Sequence, residues 1–319
     1  MSITETSRPG TAGSAPAPRR MSERARAERR LGWWLAAPAF VVMLLVTAYP
    51  IAQAVYESLF KYRLTDPDAR EFTWLTNYWV ILTDGVWWRA VGVTVLITAI
   101  TVAVEAVLGF ALALVMHRAL RVLRPLLRTA ILIPYAIITV VSAFAWLYAF
   151  DINTGFATSW LSWVPGITED TNVFGSFGSA VAVIILSEIW KTTPFISLLL
   201  LAGLAQIPND LLEAAKVDGA TWWQRLYKVT IPNMKAAIMV ALLFRTLDAF
   251  RIFDNVFIMT QGAQGTEVVS FLAYRQTISR LEIGLGSAVS VLLFLSVVLI
   301  SVAYIKLFRI NLASARGEA

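Results

Sequence analysis

Six long apolar stretches divide the sequence, and each is long enough for the roughly 20 residues that a helix needs to cross a bilayer. They cover residues 31–56, 90–116, 129–150, 178–204, 236–260 and 286–307. Of the 319 residues, 58% are hydrophobic and only 15% are charged, which is more apolar surface than one soluble core buries. The sequence therefore predicts an all-α, polytopic membrane protein of about six transmembrane helices.

The N-terminal segment is different in composition. Residues 1–30 are rich in Ser, Pro, Ala and Arg, which predicts a disordered basic tail. The uncharged run that follows, 31–56, has 26 residues, whereas the apolar part of a signal peptide has only about 7 to 15. We interpret this run as an uncleaved first membrane helix.

The basic residues predict how the chain is oriented. The tail, the 117–128 and 205–235 loops and the chain from Lys306 onward together contain 18 Lys and Arg. The other three loops contain only Lys61, Arg63, Arg70, Arg89, Arg275 and Arg280. By the positive-inside rule, the N-terminal tail and the C-terminal end, residues 313–319, are both cytoplasmic. The net charge of +6 is thus explained without a nucleic-acid partner.

Several kinds of chemistry are excluded by residue counts. The chain has no cysteine and a single histidine, His117, so it contains no disulfide, no thiolate metal site and no histidine-based metal cluster. It also lacks a Gly-x-x-x-x-Gly-Lys-Ser/Thr pattern, which is the loop that cradles nucleotide phosphates. If transport is driven by ATP, the ATPase is another polypeptide.

The loop at 205–235 has the signals of a helix, a break and a second helix. Asn209 is expected to cap the first helix, and Gly219 to end it in a left-handed turn. Thr221 and Gln224 have the spacing of a capping box for the second helix. A loop with so many start and stop signals is a folded element.

Pro232 suits the first turn of the next span.

Small residues lie where the two helices of the loop meet. The small size of these residues would allow another protein to approach the backbone closely, as docking of a helix into a groove requires. The alternatives are an ordinary helical hairpin and a helix-turn-helix reader of nucleic acid. The second is disfavoured because both ends of the loop are tethered within a few residues of the bilayer, where a nucleic-acid duplex could not approach easily. The small residues are Ala214, Ala215, Gly219 and Ala220.

The pattern Glu213-Ala214-Ala215, then Asp218-Gly219-Ala220 and finally Ile231-Pro232 resembles the EAA loop of permease subunits in binding-protein-dependent ABC importers. The family often has a second proline four residues later, where this sequence has Ala236. Segment 244–254 resembles the trehalose-importing permeases of mycobacteria. Other landmarks of the carbohydrate branch, which is related to the maltose permeases, are Phe72 to Tyr78, Leu132 to Pro134, Asn153 to Gly155 and Thr260 to Gly265.

The resemblance implies a type I ABC importer permease fold over residues 31–312, in the cytoplasmic (inner) membrane. It implies a non-catalytic subunit without a cofactor of its own, which imports a disaccharide such as trehalose. The implied partners are a second permease, two ATPase subunits that bind ATP and Mg, and an extracytoplasmic sugar-binding lipoprotein. The residues implied to couple to the ATPase are Glu213, Ala214, Ala215, Asp218, Gly219 and Ala220.

Ionisable residues inside the spans are costly in hydrocarbon and therefore indicate functional positions. The fourth span has Glu188 and Lys191, and the fifth alternates Arg245, Asp248, Arg251 and Asp254 at spacings of three. Because three residues advance a helix by about 300°, Arg245 and Asp254 would lie on roughly opposite faces. They cannot all line one cavity. The alternative is mutual pairing between helices, which leaves the role of Arg251 and Asp254 open.

The family comparison implies a subset that faces the substrate: Glu188, Thr192, Phe195, Arg245, Asp248, Ala249 and Ile252. Carboxylates, an arginine, a hydroxyl and an aromatic ring suit a sugar, which presents many hydroxyls and an apolar face. Changing Glu188 or Arg245 to alanine is predicted to lower sugar uptake and leave the complex assembled. Glu105, in the second span, is predicted to be a helix-packing residue.

Two other function classes remain as alternatives. An ion-coupled secondary transporter would use charges within the membrane, but it leaves the elaborate 205–235 loop unexplained. A membrane enzyme that acts on lipid-linked sugar would need acids gathered at one membrane face. The external loops offer only scattered carboxylates, such as Asp151, Glu169 and Asp170.

Overall fold

A computed structural model of the chain describes residues 23–119, 122–164 and 166–308. The predicted C-terminal end, residues 313–319, and most of the predicted tail lie outside these residues. The described elements are α1 (Glu23–Ser58), β1 (Phe60–Arg63), β2 (Asp66–Phe72), α2 (Thr76–Thr83), α3 (Gly85–Arg118), α4 (Arg124–Ala136), α5 (Thr139–Ala149), α6 (Ala157–Trp160), α7 (Phe177–Leu204), α8 (Asn209–Val217), α9 (Trp222–Arg225), α10 (Ile231–Asn233), α11 (Lys235–Ala249), α12 (Asp254–Met259), α13 (Val269–Tyr274) and α14 (Ile283–Phe308).

Short π-helical and 3-10 turns connect some of these helices. The π-helical turns are Leu226–Thr230 and Arg275–Ser279, and the 3-10 turns are Val173–Gly175 and Ala263–Gly265. The chain divides into two compact units after Gln53, which lies within α1. In the first unit, the described part of the chain is the α1 helix from Glu23 onward, so the last residues of the predicted disordered tail are helical.

Four helices in the described part of the chain are long and apolar enough to cross a membrane: α1, α3, α7 and α14. The pair α4 and α5 meets at an angle of 82° and gives a fifth candidate if it is one broken span. The stretch predicted as a continuous span at 236–260 is instead α11 followed by the short α12. The described part of the chain therefore does not form six uninterrupted spans.

The break between α11 and α12 has no proline or glycine to cause it, and it is held by tertiary contacts instead. The Ser270 hydroxyl donates to the backbone carbonyl oxygen of Ile252. The Phe253 ring packs against Phe257 and Tyr274, with ring centroids 5.3 and 5.4 Å apart. These partners lie on α12 and α13, so the local sequence carries no signal for the break.

Helix α7 lies at the centre of the second unit. Most of its membrane-spanning length is buried, whereas the more apolar α14 is largely exposed. The less apolar helix is thus the more enclosed one, because polar residues in membrane spans face other helices rather than lipid. Helices α3 and α7 form the most extensive helix pair, and this pair carries most of the site described below.

Three clusters of buried apolar side chains hold the second unit together. One lies among α3, α5, α7, α12 and α13, around Ile97, Ile184 and Val256. Another joins the C-terminal halves of α3 and α7 to α11, around Met116 and Ile196. The third packs α2 and the first turns of α3 against α13 and α14. The first two clusters flank the polar residues of the site from opposite ends.

The segment between α1 and α3 is not wholly helical, as the all-α prediction required, because β1 and β2 form an antiparallel hairpin. Asn77, which is buried, donates to the carbonyl oxygens of Ser58 (2.8 Å) and Phe60 (2.9 Å) and so ties α2 to the hairpin. Arg70 pairs with Glu57 at 2.9 Å. These contacts give the segment a structural packing role.

Gly284, in the first turn of α14, is expected to tolerate no side chain. A Cβ there would lie 2.0 Å from the carbonyl oxygen of Phe60, and overpacking of this kind costs about 1 to 3 kcal/mol. Gly284→Ala should therefore lower the melting temperature of the purified protein. Gly92→Ala is the matched control, because a Cβ at Gly92 meets nothing within 4 Å. Equal melting temperatures for the two variants would contradict the packing account.

Candidate functional site

A fully buried arginine is the centre of the site. Arg245, on α11, is 0% exposed and donates from both Nε and Nη2 to the carboxylate of Glu105 on α3, the Nη2 bond being 3.0 Å long. Its Nη2 also lies 2.9 Å from Glu188 on α7. The planar guanidinium suits such a bridge, because its donors form a rigid fork. One side chain thus ties three helices together.

A third carboxylate completes the arginine cluster. The Nη1 of Arg245 lies 2.9 Å from Asp248 Oδ2, and the Asp248 side chain is 60% exposed. Thr192 donates to Glu105 at 2.7 Å, which satisfies a further lone pair of that buried carboxylate. Three carboxylates therefore share one guanidinium, and Asp248 is the member that faces open space.

Asn255, on α12, is a member of the site that sequence reasoning missed. Its side-chain amide donates to Glu188 Oε2 at 2.9 Å and to Ser187 Oγ at 3.1 Å. It is buried, and its Oδ1 has no hydrogen-bond partner among the described residues. Asn255 can be recognised as a site residue only from the structure, because the break after α11 turns α12 towards α7.

A polar cavity of about 550 Å³ lies beside the arginine cluster. This volume is within the range of about 300 to 1,000 Å³ that is usual for small-molecule sites. Lys191 lines it with its Nζ 5.5 Å from the ring centroid of Tyr135. The other lining residues are Ala136, Ile137, Ile138, Thr139, Glu188, Thr192, Asp248, Arg251, Ile252, Phe253, Asp254 and Asn255.

The residues implied by the family comparison divide into two groups in the structure. Glu188, Thr192, Asp248 and Ile252 line the cavity, whereas Arg245, Ala249 and Phe195 do not. Phe195 instead stacks on the cavity residue Tyr135, with ring centroids 5.4 Å apart. Arg245 reaches the cavity only through its partners Glu188 and Asp248, and Ala249 is buried within the bundle.

The two charges whose role was open, Arg251 and Asp254, also line the cavity. Within the described residues they form no ion pair with each other, and Arg251 Nε donates to the carbonyl oxygen of Leu247 at 3.2 Å. Among the four charged residues of the predicted fifth span, only Arg245 and Asp248 form an ion pair with each other. The alternative of mutual pairing therefore does not apply to Arg251 and Asp254: α11 ends at Ala249, before both residues, and α12 begins at Asp254.

The loop between α7 and α11 forms the two helices that the sequence predicts. Gly219 has φ +75°, and the amide of Ala220 donates to the carbonyl oxygen of Ala215 at 2.9 Å, which closes the end of α8. Thr221 and Gln224 form a capping box at the start of α9, with bonds of 2.8 and 3.4 Å. The predicted left-handed turn and capping box are confirmed.

Two local predictions for this loop need correction. Asn209 is the first residue of α8 rather than its cap, and the preceding Pro208 makes no side-chain cap. Pro232 lies in the short helix α10, which Met234 separates from α11. A proline at the cap position fixes the entry of the chain by its restricted φ. The loop and α11 are therefore joined by a π-helical turn and a single helical turn.

The residues implied to couple to an ATPase form an accessible surface on this loop. Glu213, Ala214, Asp218 and Gly219 are exposed, and Ala215 and Ala220 are partly buried. A Cβ at Gly219 would meet nothing within 4 Å. The glycine is therefore required by its backbone conformation and not by packing within this chain.

Asp151, one of the carboxylates considered for a membrane enzyme, has a local structural role. Its Oδ1 accepts from the amides of Asn153 and Thr154, at 2.9 Å each. These bonds, that of Thr154 first, hold the pKa of the carboxyl below its usual value, because they favour the charged form. Asp151 closes the turn after α5.

Long apolar helices around a buried ion cluster and a polar cavity define a polytopic membrane protein of the transport class. The profile of the family described as "Binding-protein-dependent transport system inner membrane component" matches residues 105–309. The chain belongs to this family. It is therefore a multi-pass inner membrane component, a transport permease, and the system it serves depends on a separate binding protein.

Individual relatives agree with the family. The chain is 50% identical to the trehalose transport system permease protein SugA of Mycobacterium tuberculosis over 92% of each chain. It is 35% identical to the trehalose/maltose transport system permease protein MalF of Thermococcus litoralis, over 88% of this chain and 95% of the relative. Among solved structures, it shares the fold of a bacterial ABC transporter involved in alginate import, with a TM-score of 0.76 and 20% identity, over 91% of this chain and 100% of the other.

Proposed function

We propose that this chain forms half of the path of an ATP-driven sugar importer and that its substrate is a disaccharide such as trehalose. The cavity beside Arg245 is the observation that carries the proposal. It offers carboxylates, an ammonium group, a hydroxyl and a tyrosine ring, and these groups suit a ligand with many hydroxyls and an apolar face. Both relatives named above carry trehalose in their names, which favours this sugar.

The path residues have different roles in this proposal. Glu188, Thr192 and Asp248 contact sugar hydroxyls, and Ile252 supplies apolar contact. Arg245 is a positioning residue, because its bonds of 2.9 Å hold Glu188 and Asp248 in place. Phe195 supports Tyr135 as a stacking surface, and Ala249 keeps α11 close to its neighbours by its small size.

The loop between α7 and α11 is proposed to transmit ATP-driven motion to the helices. Its exposed surface docks with a separate ATPase, which binds ATP and Mg. The full assembly has a second permease, two ATPase subunits and an extracytoplasmic sugar-binding lipoprotein. Both termini of this chain lie in the cytoplasm. The supporting observations are the exposed glutamate and small residues at the α8–α9 turn and the excess of basic residues on one side.

The test of this function is to purify the chain with its partner subunits and to measure ATP hydrolysis with different sugars. We expect trehalose, presented by the binding protein, to stimulate hydrolysis more than monosaccharides do. Stimulation by no sugar, in a complex that hydrolyses ATP, would overturn the proposed substrate class.

Asp248→Ala is expected to lower sugar uptake about tenfold, the effect of losing one hydrogen bond to a charged group. The chain should reach the membrane in normal amounts, because the Asp248 side chain is 60% exposed. Uptake of radiolabelled trehalose and chain abundance are measured together. Asp170→Ala is the control, since it removes an exposed carboxylate from a loop outside the cavity. Unchanged uptake in Asp248→Ala would remove Asp248 from the path.

A further inference from the structure

Two adjoining cavities lie at the end of the bundle that carries the loop between α7 and α11. One, of about 330 Å³, lies between the last turn of α3 and helices α8 and α9. The other, of about 380 Å³, lies among α3, α7, α11 and the π-helical turn that follows α9. Leu114 and Leu226 line both. The two cavities are therefore neighbouring parts of one groove.

The first cavity is basic. Arg118, Lys216 and Arg225 line it, together with His117 and one carboxylate, Glu213. Among the residues that the structure describes, none of these three cations forms an ion pair. The guanidinium of Arg118 lies 5.2 Å from the ring centroid of Trp222. An excess of positive charge without internal partners suits an anionic ligand.

The second cavity is apolar. Among the residues that the structure describes, Tyr227 is the only ionisable one that lines it, and its wall consists of side chains such as Phe110, Ala111 and Leu242. Trp223 and Tyr227 are 60% and 62% exposed and stack with ring centroids 6.0 Å apart. Exposed Trp and Tyr rings at the end of membrane helices are typical of the interface with lipid headgroups.

We infer that this groove binds an anionic phospholipid, with the headgroup phosphate in the basic cavity and an acyl chain in the apolar one. The inference rests on the proposed cytoplasmic position of the loop, since basic pockets on that side of a membrane bind anionic headgroups. A free phosphate would use only the basic part, and a purely apolar partner helix would leave its charges unmatched. Glu213, a residue of the proposed coupling surface, also lines the basic cavity. A lipid bound in the groove would therefore link the membrane to that surface.

Photolabelling in nanodiscs tests this site on the assembled transporter. The probes are phosphatidylglycerol and phosphatidylcholine, each with a diazirine near the end of one acyl chain, and labelled peptides are located by mass spectrometry. We expect phosphatidylglycerol to label the α3 peptide that contains Phe110, and unlabelled phosphatidylglycerol to compete. Removing two cations, in Arg118→Gln with Arg225→Gln, should lower this labelling about tenfold.

Two further variants sharpen the result. Lys228→Gln with Lys235→Gln removes two charges, one from the loop and one from the first residue of α11, but neither residue lines the groove, so labelling should stay as in the wild type. Ala111→Trp fills the apolar part and should lower labelling while it leaves the cations in place. Equal labelling by both lipids, or competition by inorganic phosphate alone, would overturn the inference. Sugar uptake is measured separately, so failure of the lipid site and failure of the proposed function are distinguishable.

Discussion

Arg245→Ala is expected to abolish sugar uptake and to lower the amount of folded chain in the membrane. Arg245 and Glu105 are both 0% exposed, and removal of one partner leaves the other charge buried without compensation. Breaking a buried pair in this way costs about 3 to 5 kcal/mol. The sequence alone predicts that this variant stays assembled, and the complete burial of both side chains reverses that expectation. Abundance by immunoblot and uptake of labelled sugar check the result.

Two companion variants separate charge from geometry. Arg245→Lys keeps the positive charge but loses the fork that reaches Glu105, Glu188 and Asp248 together, so it should recover abundance in part and uptake very little. Glu188→Ala removes a carboxylate that lines the cavity and leaves the pair of Arg245 with Glu105 intact, so it should lower uptake with a smaller loss of abundance. Wild-type abundance and uptake in Arg245→Ala would show that the ion cluster has neither role.

Gly219→Asp is expected to abolish sugar-stimulated ATP hydrolysis and uptake while the chain inserts normally. The residue has φ +75°, where a side chain costs roughly 1 kcal/mol or more. A Cβ would meet nothing within 4 Å in the described part of the chain, so the added carboxylate projects from the surface that is proposed to dock the ATPase. We expect weaker retention of the ATPase during purification and unchanged pairing with the second permease.

Backbone strain and loss of docking are distinguished by two controls. Gly166 also has a positive φ, +89°, and open space at its Cβ position, so Gly166→Asp introduces similar strain outside the proposed coupling surface. We expect it to retain the ATPase. Gly219→Asn should have a smaller effect than Gly219→Asp, because asparagine adopts the left-handed conformation more readily and adds no charge. If Gly219→Asp keeps its ATPase and transports normally, the loop is not a coupling element.

Local signals in the sequence were sufficient to predict much of the fold. Long apolar runs located the helices α1, α3, α7 and α14, since the length and composition of a span are properties of that segment alone. The capping box at Thr221 and the turn at Gly219 were also predictable, because each depends on residues within one or two turns. The hairpin of β1 and β2 was missed. Its strands lie in a short segment of mixed charged and aromatic residues, which gave no clear strand signal.

The candidate site was predictable only in part. Glu188, Asp248 and Arg245 were identified by their charges, which are costly in a membrane span. The apolar run at 236–260 predicts one continuous helix. Residues beyond Ala249 are therefore assigned to faces of a helix that ends before them. The break is fixed by contacts with residues such as Ser270 and Tyr274, which lie later in the chain. Asn255 and the cavity position of Arg251 follow from that break.

Transport in proteoliposomes tests the central claim most directly. The complex of this chain, its partner permease and the ATPase is reconstituted with the sugar-binding protein outside and ATP inside, and accumulation of labelled trehalose is followed. We predict accumulation that requires both the binding protein and hydrolysable ATP and that persists when ionophores dissipate all ion gradients. Accumulation that continues without ATP and stops on addition of ionophore would identify an ion-coupled transporter and contradict the account.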